Sequence, residues 1–153
     1  MPTAEERLAS LGLTLPAVAS PVANYMPYVR SGNLLFLAGQ ISRAPDGAPL
    51  VGKLGDTLTI EQGCEAESAA ALSAIAVMNE ALGSLEQVAR VVRVTALVNA
   101  TPEFESQPQV ANGASDLFVA VFDERGRHVR TAVGVSSLPL GVAVEIEVTV
   151  EAE

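Results

Sequence analysis

The chain has 153 residues, a formal net charge of −9 and an apolar fraction of 49%, with no tryptophan. A chain of this length fits one domain, which can bury roughly 68–70% of the surface that the unfolded chain exposes. Its nine Lys and Arg residues are scattered singly, so the sequence offers no basic surface for nucleic-acid phosphates or an anionic membrane. We therefore expect neither nucleic acid nor a membrane as a partner.

A single cysteine, Cys64, excludes an internal disulfide framework and is typical of a reducing compartment. No basic segment leads into an apolar one near the N-terminus, and no apolar run reaches 18 residues. These features predict a soluble, cytoplasmic protein.

The N-terminal part predicts a short helix, a loop and a hairpin. Thr3 and Glu6 have the spacing of a capping box, and a helix of about two turns follows them. Residues 13–26 contain proline and small side chains, which predict an ordered loop. A Ser-Gly-Asn turn then joins two strands, Tyr28–Arg30 and Leu34–Ile41.

The middle of the chain predicts two helices with a strand between them. After a loop over residues 44–56, an alanine-rich helix runs from Ile60 to Leu82 and ends at Gly83. A strand over Val88–Asn99 and a second helix over Gln107–Glu124 follow. The predicted buried stripe of the first helix is Ile60, Cys64, Ala71, Ile75, Met78 and Leu82.

The C-terminal part, Val129–Glu151, predicts an antiparallel hairpin. Two runs rich in β-branched residues flank Leu138-Pro139-Leu140-Gly141, a sequence typical of a tight turn. Because side chains alternate along a strand, the hairpin has an apolar face and a face of small and charged residues. The predicted core face is Thr131, Val133, Val135, Val142, Val144, Ile146, Val148 and Val150. The opposite face is Arg130, Ala132, Gly134, Ser136, Ala143, Glu145, Glu147, Thr149 and Glu151. On pattern alone the second face is solvated and carries ion pairs, although its small residues leave room for a ligand.

These elements predict an α+β sandwich of the order β-β-α-β-α-β-β, in which two helices cover one face of a mostly antiparallel sheet. The other face of the sheet has no predicted cover. Proteins usually bury such a surface by symmetric association, so we expect an oligomer.

Several catalytic and metal-binding patterns are absent from the sequence, including CxxC, HExxH, GxSxG and the phosphate-binding glycine loop. The only histidine, His128, is predicted to be a surface residue, and Cys64 is predicted to be a small core residue. The sequence therefore predicts no metal ion and no cofactor.

The remaining candidates form a set suited to a small anionic ligand. Arg130 can bind a carboxylate through two parallel hydrogen bonds, and Glu145 can position a water or exchange a proton. Tyr28 and Asn112 can form hydrogen bonds, and Gly39, inside a strand, indicates a close approach of the backbone.

The predicted hairpin separates the two charged candidates. Its turn places Thr149 opposite Arg130, so Glu145 lies four residues, or about 13 Å, along the partner strand. The two side chains do not meet within one chain, and a shared site needs a second subunit.

Three stretches together resemble the Rid/YjgF family of reactive intermediate deaminases, also labelled endoribonuclease L-PSP-like. They are PYVRSGNLLFLAGQIS at residues 27–42, VVRVTALVN at residues 91–99 and RTAVGVSSLPLGVAVEIEV at residues 130–148. The resemblance predicts one domain over residues 1–153, with residues 1–24 as an N-terminal helix and loop extension that indicates a divergent subgroup.

The resemblance implies a chorismate-mutase-like fold and a homotrimer whose sheets form a central barrel, with sites in the clefts between subunits. It also implies hydrolysis of 2-aminoacrylate and related imines to a keto acid and ammonia, without a cofactor. In that role Arg130 would bind the substrate carboxylate and Glu145 would handle water or protons. The other residues that the resemblance places at the cleft are Tyr28, Gly39, Asn112 and, through its backbone, Ala132.

Three functions are open at this point. The first is the enamine or imine hydrolase. The second is a non-catalytic module that binds a small carboxylate in the same cleft, because Ala38 stands where many family members have Ser or Thr. The third is the endoribonuclease of the family label, against which the net charge of −9 and the lack of a histidine pair weigh strongly.

Overall fold

The computed structural model describes residues 1–18, 20 and 23–153, so Ala19, Pro21 and Val22 of the predicted N-terminal loop lie outside the described residues. Its helices and strands are α1 (Ala4–Ser10), β1 (Tyr28–Ser31), β2 (Leu34–Leu37), β3 (Gln40–Ile41), α2 (Ile60–Leu82), β4 (Val88–Asn99), α3 (Gln107–Phe122), β5 (Val129–Val135) and β6 (Val144–Ala152). The predicted order of elements is confirmed, and Gly39 lies where the second predicted strand divides into β2 and β3.

The two predicted capping boxes are present and explain where α1 and α2 begin. Thr3 and Glu6 cap α1 reciprocally, and Thr59 and Gln62 do the same for α2. Gly83 ends α2 in the left-handed conformation, with φ of 81°, which costs a glycine little. The bounds predicted for α2 are therefore confirmed.

The buried face of α2 differs from the prediction in its first two turns. Ile60 is 40% exposed, whereas Gly63, Ala66 and Glu67 are buried. Glycines on both helices let α3 approach closely, because a Cβ on Gly63 would lie 3.0 Å from a methyl group of Val110 and a Cβ on Gly113 would collide with backbone atoms of Cys64. The two helices therefore pack almost backbone to backbone at this crossing.

The sheet has the order β1-β2-β6-β4-β5, with β3 paired to β6 beyond the end of β2. β6 is antiparallel to β2, β3 and β4, whereas β5 is parallel to β4. The predicted C-terminal hairpin is therefore wrong, because β4 lies between β5 and β6. The physical reason is α3, which supplies the long crossover that two parallel neighbouring strands require.

This pairing also changes the predicted faces. Val94 of β4 lies between Arg130 of β5 and Val148 of β6, so Arg130 shares the helix-covered face with the buried valine. Glu145 pairs with Leu97 and faces the opposite side. The prediction that Arg130 and Glu145 share one face was thus wrong. The even-numbered residues of β6 are buried as predicted, whereas Thr131 and Val133, which were predicted to lie on the core face, are exposed.

The face of the sheet away from α2 and α3 carries exposed apolar side chains along both edges. Val29 of β1 is 55% exposed, Phe36 of β2 44% and Val133 of β5 41%. Thr95 and Glu147 lie between these edges in the middle of the same face. Among the described helices, none is both long enough and apolar enough to span a bilayer.

Among the described residues, three polar side chains are buried, and two of these have hydrogen-bond partners there. Asn99 accepts a hydrogen bond from Lys53 and donates to the carbonyls of Gly52 and Val142. Ser42 donates to the carbonyl of Leu50. Within the described residues, the third buried side chain, the Glu67 carboxyl, forms no hydrogen bond.

Candidate functional site

Arg130 lies on β5, at the edge of the sheet, and reaches toward α3. Its Nη1 donates to Oδ1 of Asn112 at 2.8 Å and to Oγ of Ser115 at 3.2 Å. Its Nη2 donates to the carbonyl of Pro108 at 3.4 Å. Because Asn112 and Ser115 are one helical turn apart, they lie on the same side of α3 and hold the guanidinium from its Nη1 end.

These partners are all uncharged. No carboxylate oxygen of the described residues lies within 4 Å of an Arg130 nitrogen, whereas Arg7, Arg125 and Arg127 each have an acidic partner. Nε of Arg130 has no hydrogen-bond partner among the described residues. Nε and Nη2 can bind a carboxylate through two parallel hydrogen bonds. Here Nη2 uses one of its two hydrogens for the 3.4 Å contact with the Pro108 carbonyl, so it keeps a second for a ligand.

His128 belongs to the same cluster and is not the surface residue that the sequence predicted. Its Nε2 lies 2.9 Å from Oγ of Ser115, and its Nδ1 lies 2.6 Å from the carbonyl oxygen of Gly126. The ring also packs edge-on against Phe118, with the ring centres 5.8 Å apart. Burial, together with the charge of Arg130, lowers the pKa of His128. The spacing His-x-Arg was the only sequence signal for this contact.

Glu145 lies on the other face of the sheet, beside Gly39. A Cβ added to Gly39 would lie 3.1 Å from Cδ of Glu145, so the missing side chain makes space for the carboxyl. Both residues line a cavity of about 900 Å³, whose wall also includes Tyr25, Ile41 and Leu72. The predicted close approach at Gly39 is therefore present, and the approaching group is Glu145.

Half-burial in this cavity raises the pKa of Glu145, and the neighbouring carboxylate of Glu147 raises it further. A carboxyl group with a raised pKa can give up and take back a proton nearer to neutral pH than an exposed one can. Glu145 is thus suited to proton transfer in a partly dry site.

Gly39→Ala is expected to move the Glu145 carboxyl with little cost to the fold. The added methyl meets the far end of a flexible side chain, and the residue has no positive φ, so alanine is not strained there. The displaced carboxyl gains contact with water, so its raised pKa should fall toward the ordinary range. Carbon-13 NMR titration of Glu145 in both proteins measures this, and an unchanged pKa in Gly39→Ala would contradict the contact.

A model of the family described as "YjgF/chorismate_mutase-like, putative endoribonuclease" matches residues 5–151. The chain belongs to this YjgF family. The mixed α+β fold with one sheet agrees with this assignment.

Three proteins illustrate the range of similarity. Protein TCP17 of Trypanosoma cruzi is 48% identical over 94% of this chain and 91% of its own length. A solved structure from Shewanella oneidensis MR-1, named a "putative endoribonuclease", is 33% identical with a TM-score of 0.94, over 98% of this chain and 99% of its own. RidA from Psychrobacter sp. PAMC 21119 is 27% identical with a TM-score of 0.60, over 90% of this chain and 95% of its own.

The structure distributes the remaining predicted site residues of this YjgF-family chain unevenly. Asn112 is exposed beside Arg130, and Ala132 follows on the same face of β5, packed against the core. Tyr28 also packs against the core, whereas Tyr25 lines the cavity with Glu145. The role predicted for Tyr28 at a cleft between subunits stays a prediction.

The candidate residues of the YjgF-family chain therefore form two separate groups, which we call half-sites. Arg130, Asn112, Ser115 and His128 form one at the β5 edge, on the helix-covered face. Glu145, which points to the opposite face, forms the other with Gly39 and Tyr25 at the cavity that they line. β4 lies between the two strands concerned. The expectation that one chain cannot bring Arg130 to Glu145 agrees with this arrangement, although the reason is the parallel β5 and not the predicted hairpin register.

The thiol of Cys64 lies outside both half-sites. The Cys64 thiol donates to the carbonyl of Gln109 at 3.2 Å, and burial together with the Glu67 carboxylate raises its pKa, which disfavours a reactive thiolate. Within the part of the chain that the structure describes, no cluster of three or more His, Cys, Asp or Glu side chains is placed to hold a metal ion.

Proposed function

We propose that the protein hydrolyses the imine and enamine forms of 2-amino acid intermediates, of the 2-aminoacrylate type, to a keto acid and ammonia. The observation that carries this proposal is Arg130, whose guanidinium is fixed by neutral partners, with Nε unpartnered among the described residues and Nη2 making one contact of 3.4 Å. An unneutralised arginine held in this way is suited to a small carboxylate, which every substrate of this class carries.

The second half-site supplies the proton chemistry. Glu145 delivers a proton to the enamine carbon to form the imine, and water then adds to the carbon of the C=N bond. The resulting carbinolamine loses ammonia as its hydroxyl becomes the keto group, and the proton for the leaving nitrogen passes through the same carboxyl. The raised pKa of Glu145 supports this role, because the group must both donate and accept.

A shared site needs a contact between subunits that is not self-complementary. Arg130 and Glu145 lie on opposite faces of one chain, so Arg130 of one subunit meets Glu145 of the next only when two different surfaces join. Such heterologous contacts form a ring when the rotation between neighbouring subunits closes, and an open filament when it does not. The apolar side chains along both edges of the uncovered sheet face support a ring in which sheets face inward, and the family resemblance implies three members.

We expect sedimentation equilibrium to give a trimer of the 15.8 kDa chain at micromolar concentration. Phe36→Lys places a charge on the uncovered sheet face and should shift the protein toward smaller species, whereas Arg127→Lys, on an exposed side chain outside that face, should not. A monomer for the unmodified protein would remove the shared site and the proposed function with it.

The direct test is release of keto acid from imines that an amino acid oxidase generates in the same vessel. The protein should accelerate release above the spontaneous rate, and Arg130→Ala and Glu145→Gln should each return it toward that rate. Arg127→Ala, which removes an exposed arginine paired with Glu124, is the matched control and should remain active. No acceleration by the unmodified protein would contradict the proposal.

Two other functions make different forecasts. A module that only binds carboxylates would bind the keto acid through Arg130 and give no acceleration, and Ala38, which puts no hydroxyl beside Gly39, favours this second candidate. An endoribonuclease would have to bind a polyanion, against the net charge of −9. The oxidase-coupled assay separates the hydrolase from both.

A further inference from the structure

The hydrogen positions in the Arg130 cluster follow from the heavy atoms. A carbonyl oxygen only accepts, so Nδ1 of His128, 2.6 Å from the carbonyl of Gly126, must carry a hydrogen. In the neutral ring Nε2 is then an acceptor, and the Ser115 hydroxyl donates to it across 2.9 Å. The lone pairs of Ser115 Oγ are left for Nη1 of Arg130.

We propose that His128 and Ser115 are positioning residues for Arg130, which aim its Nε–Nη2 edge at the carboxylate of the ligand. Neutral His128 fixes the direction of the Ser115 hydroxyl, and the hydroxyl oxygen together with Asn112 fixes Nη1. This inference deepens the proposed function and rests on it. Neither residue touches the substrate, and both act through the orientation of the guanidinium.

Three features of the cluster support positioning over simple packing. The imidazole is held at both nitrogens and by the T-shaped contact with the ring of Phe118, so it has one orientation. The partners of Arg130 leave its charge intact, whereas an acidic partner at the same place would neutralise it and compete with the ligand. A lowered pKa of His128, caused first by burial, keeps the ring neutral at physiological pH and therefore an acceptor.

The test uses binding of pyruvate to the assembled protein, measured by calorimetry, with pyruvamide as the probe that lacks the carboxylate. His128→Gln keeps an acceptor near the position of Nε2, so it preserves the link to Ser115. His128→Asn keeps a donor near the position of Nδ1, so it preserves only the link to Gly126. Ser115→Ala removes the middle of the chain of hydrogen bonds in a helix that tolerates alanine well.

We expect Ser115→Ala, His128→Ala and His128→Asn each to weaken pyruvate binding about fivefold, the usual effect of one lost neutral hydrogen bond. His128→Gln should bind within about twofold of the unmodified protein, as expected if the acceptor is what matters. The double variant Ser115→Ala/His128→Ala should be no weaker than either single variant, because both changes break one chain of contacts. Pyruvamide binding should be the same in all of them.

Three results would overturn the inference: unchanged pyruvate affinity in Ser115→Ala, His128→Asn binding as well as His128→Gln, or additive losses in the double variant. Arg130→Ala distinguishes this failure from that of the proposed function. If Arg130→Ala binds pyruvate normally, the carboxylate site itself is wrong. If Arg130→Ala binds pyruvate weakly while the Ser115 and His128 variants bind it normally, the carboxylate site stands and only the positioning roles of Ser115 and His128 are wrong.

Discussion

Arg130→Lys is expected to lose nearly as much carboxylate affinity and activity as Arg130→Ala. A lysine ammonium would stay with Asn112 and Ser115 on α3, because those acceptors surround the end of the side chain. It has no second edge with which to meet a carboxylate through two parallel hydrogen bonds. Loss of such a charge-assisted contact is worth roughly 1.5–3 kcal/mol, or about 10- to 100-fold in kcat/KM.

The fold should survive both changes, since Arg130 is only half-buried and its partners lie near the surface. Thermal unfolding and the kinetics of imine hydrolysis, measured on the same preparations, separate a functional role from a structural one. If Arg130 served only to tie β5 to α3, Lys would restore most of the stability and Ala would leave kcat/KM unchanged. That pattern would contradict both the hydrolase and the carboxylate-binding module.

Glu67→Leu is expected to stabilise the protein, and far more at pH 8 than at pH 5. Both carboxyl oxygens of Glu67 are buried and form no hydrogen bond with the residues that the structure describes, whereas the buried side chains of Asn99 and Ser42 do form hydrogen bonds. Burial raises the pKa of Glu67 from the ordinary 4.5 to about 8, and the charge of Arg130 only partly opposes this. The folded state therefore holds a proton that the unfolded chain releases above about pH 4.5.

The sign of the effect follows from that difference. The pKa of Glu67 is higher in the folded state than in the unfolded state. Its contribution to the free energy of unfolding is therefore complete below pH 4.5 and is lost as the pH rises through 8. Between pH 5 and pH 8 the free energy of unfolding falls by about 3 kcal/mol through this group, and Glu67→Leu abolishes that fall. At pH 8 the melting temperature should rise by roughly 6–12 °C for a chain of this size.

Thermal unfolding across this pH range, at one fixed chain concentration, measures the prediction. Glu67→Gln should also flatten the pH dependence, because it cannot ionise, although its buried amide adds a constant cost. Glu65→Gln, on an exposed residue of the same helix, is the control and should keep the slope of the unmodified protein. Parallel pH profiles for Glu67→Leu and the unmodified protein would show that this carboxyl is not buried uncharged.

Local signals in the sequence predicted the elements well. Capping boxes at Thr3 and Thr59 and a terminal glycine at Gly83 act within one or two helical turns, so their chemistry can be read without knowing the rest of the fold. Gly39 was similar, because a glycine inside a strand indicates a close approach even before the approaching group is known.

Strand pairing was harder to predict from the sequence, because it depends on which strands compete for the same edge of the sheet. Pro139 and Gly141 form a tight connection as predicted, but the chain uses it to cross the end of β4 and not to fold back on itself. The helix between β4 and β5 was the available signal, since a strand, a helix and a strand in succession favour a parallel pair.

The candidate site could be predicted only as separate residues. Arg130 and Glu145 were identified by side-chain chemistry and the family resemblance, but their faces depend on β4, which no local pattern places. Glu67 was missed because a carboxyl is normally assigned to solvent. It lies four residues before Ala71 of the predicted stripe, so helical spacing alone placed it on the buried face.

β6 has a consequence for how the chain folds. It is the last strand in the sequence and the central strand of the sheet, between β2 on one side and β4 on the other. Until it pairs, the β1–β2 hairpin and the β4-α3-β5 unit have no shared ladder, and each leaves an open edge. Joining them requires contacts more than a hundred residues apart, such as Leu35 with Val150, and contacts of that separation form slowly. Both halves of the sheet therefore need the nine residues of β6 in order to pair, and removal of β6 would leave neither half with a partner.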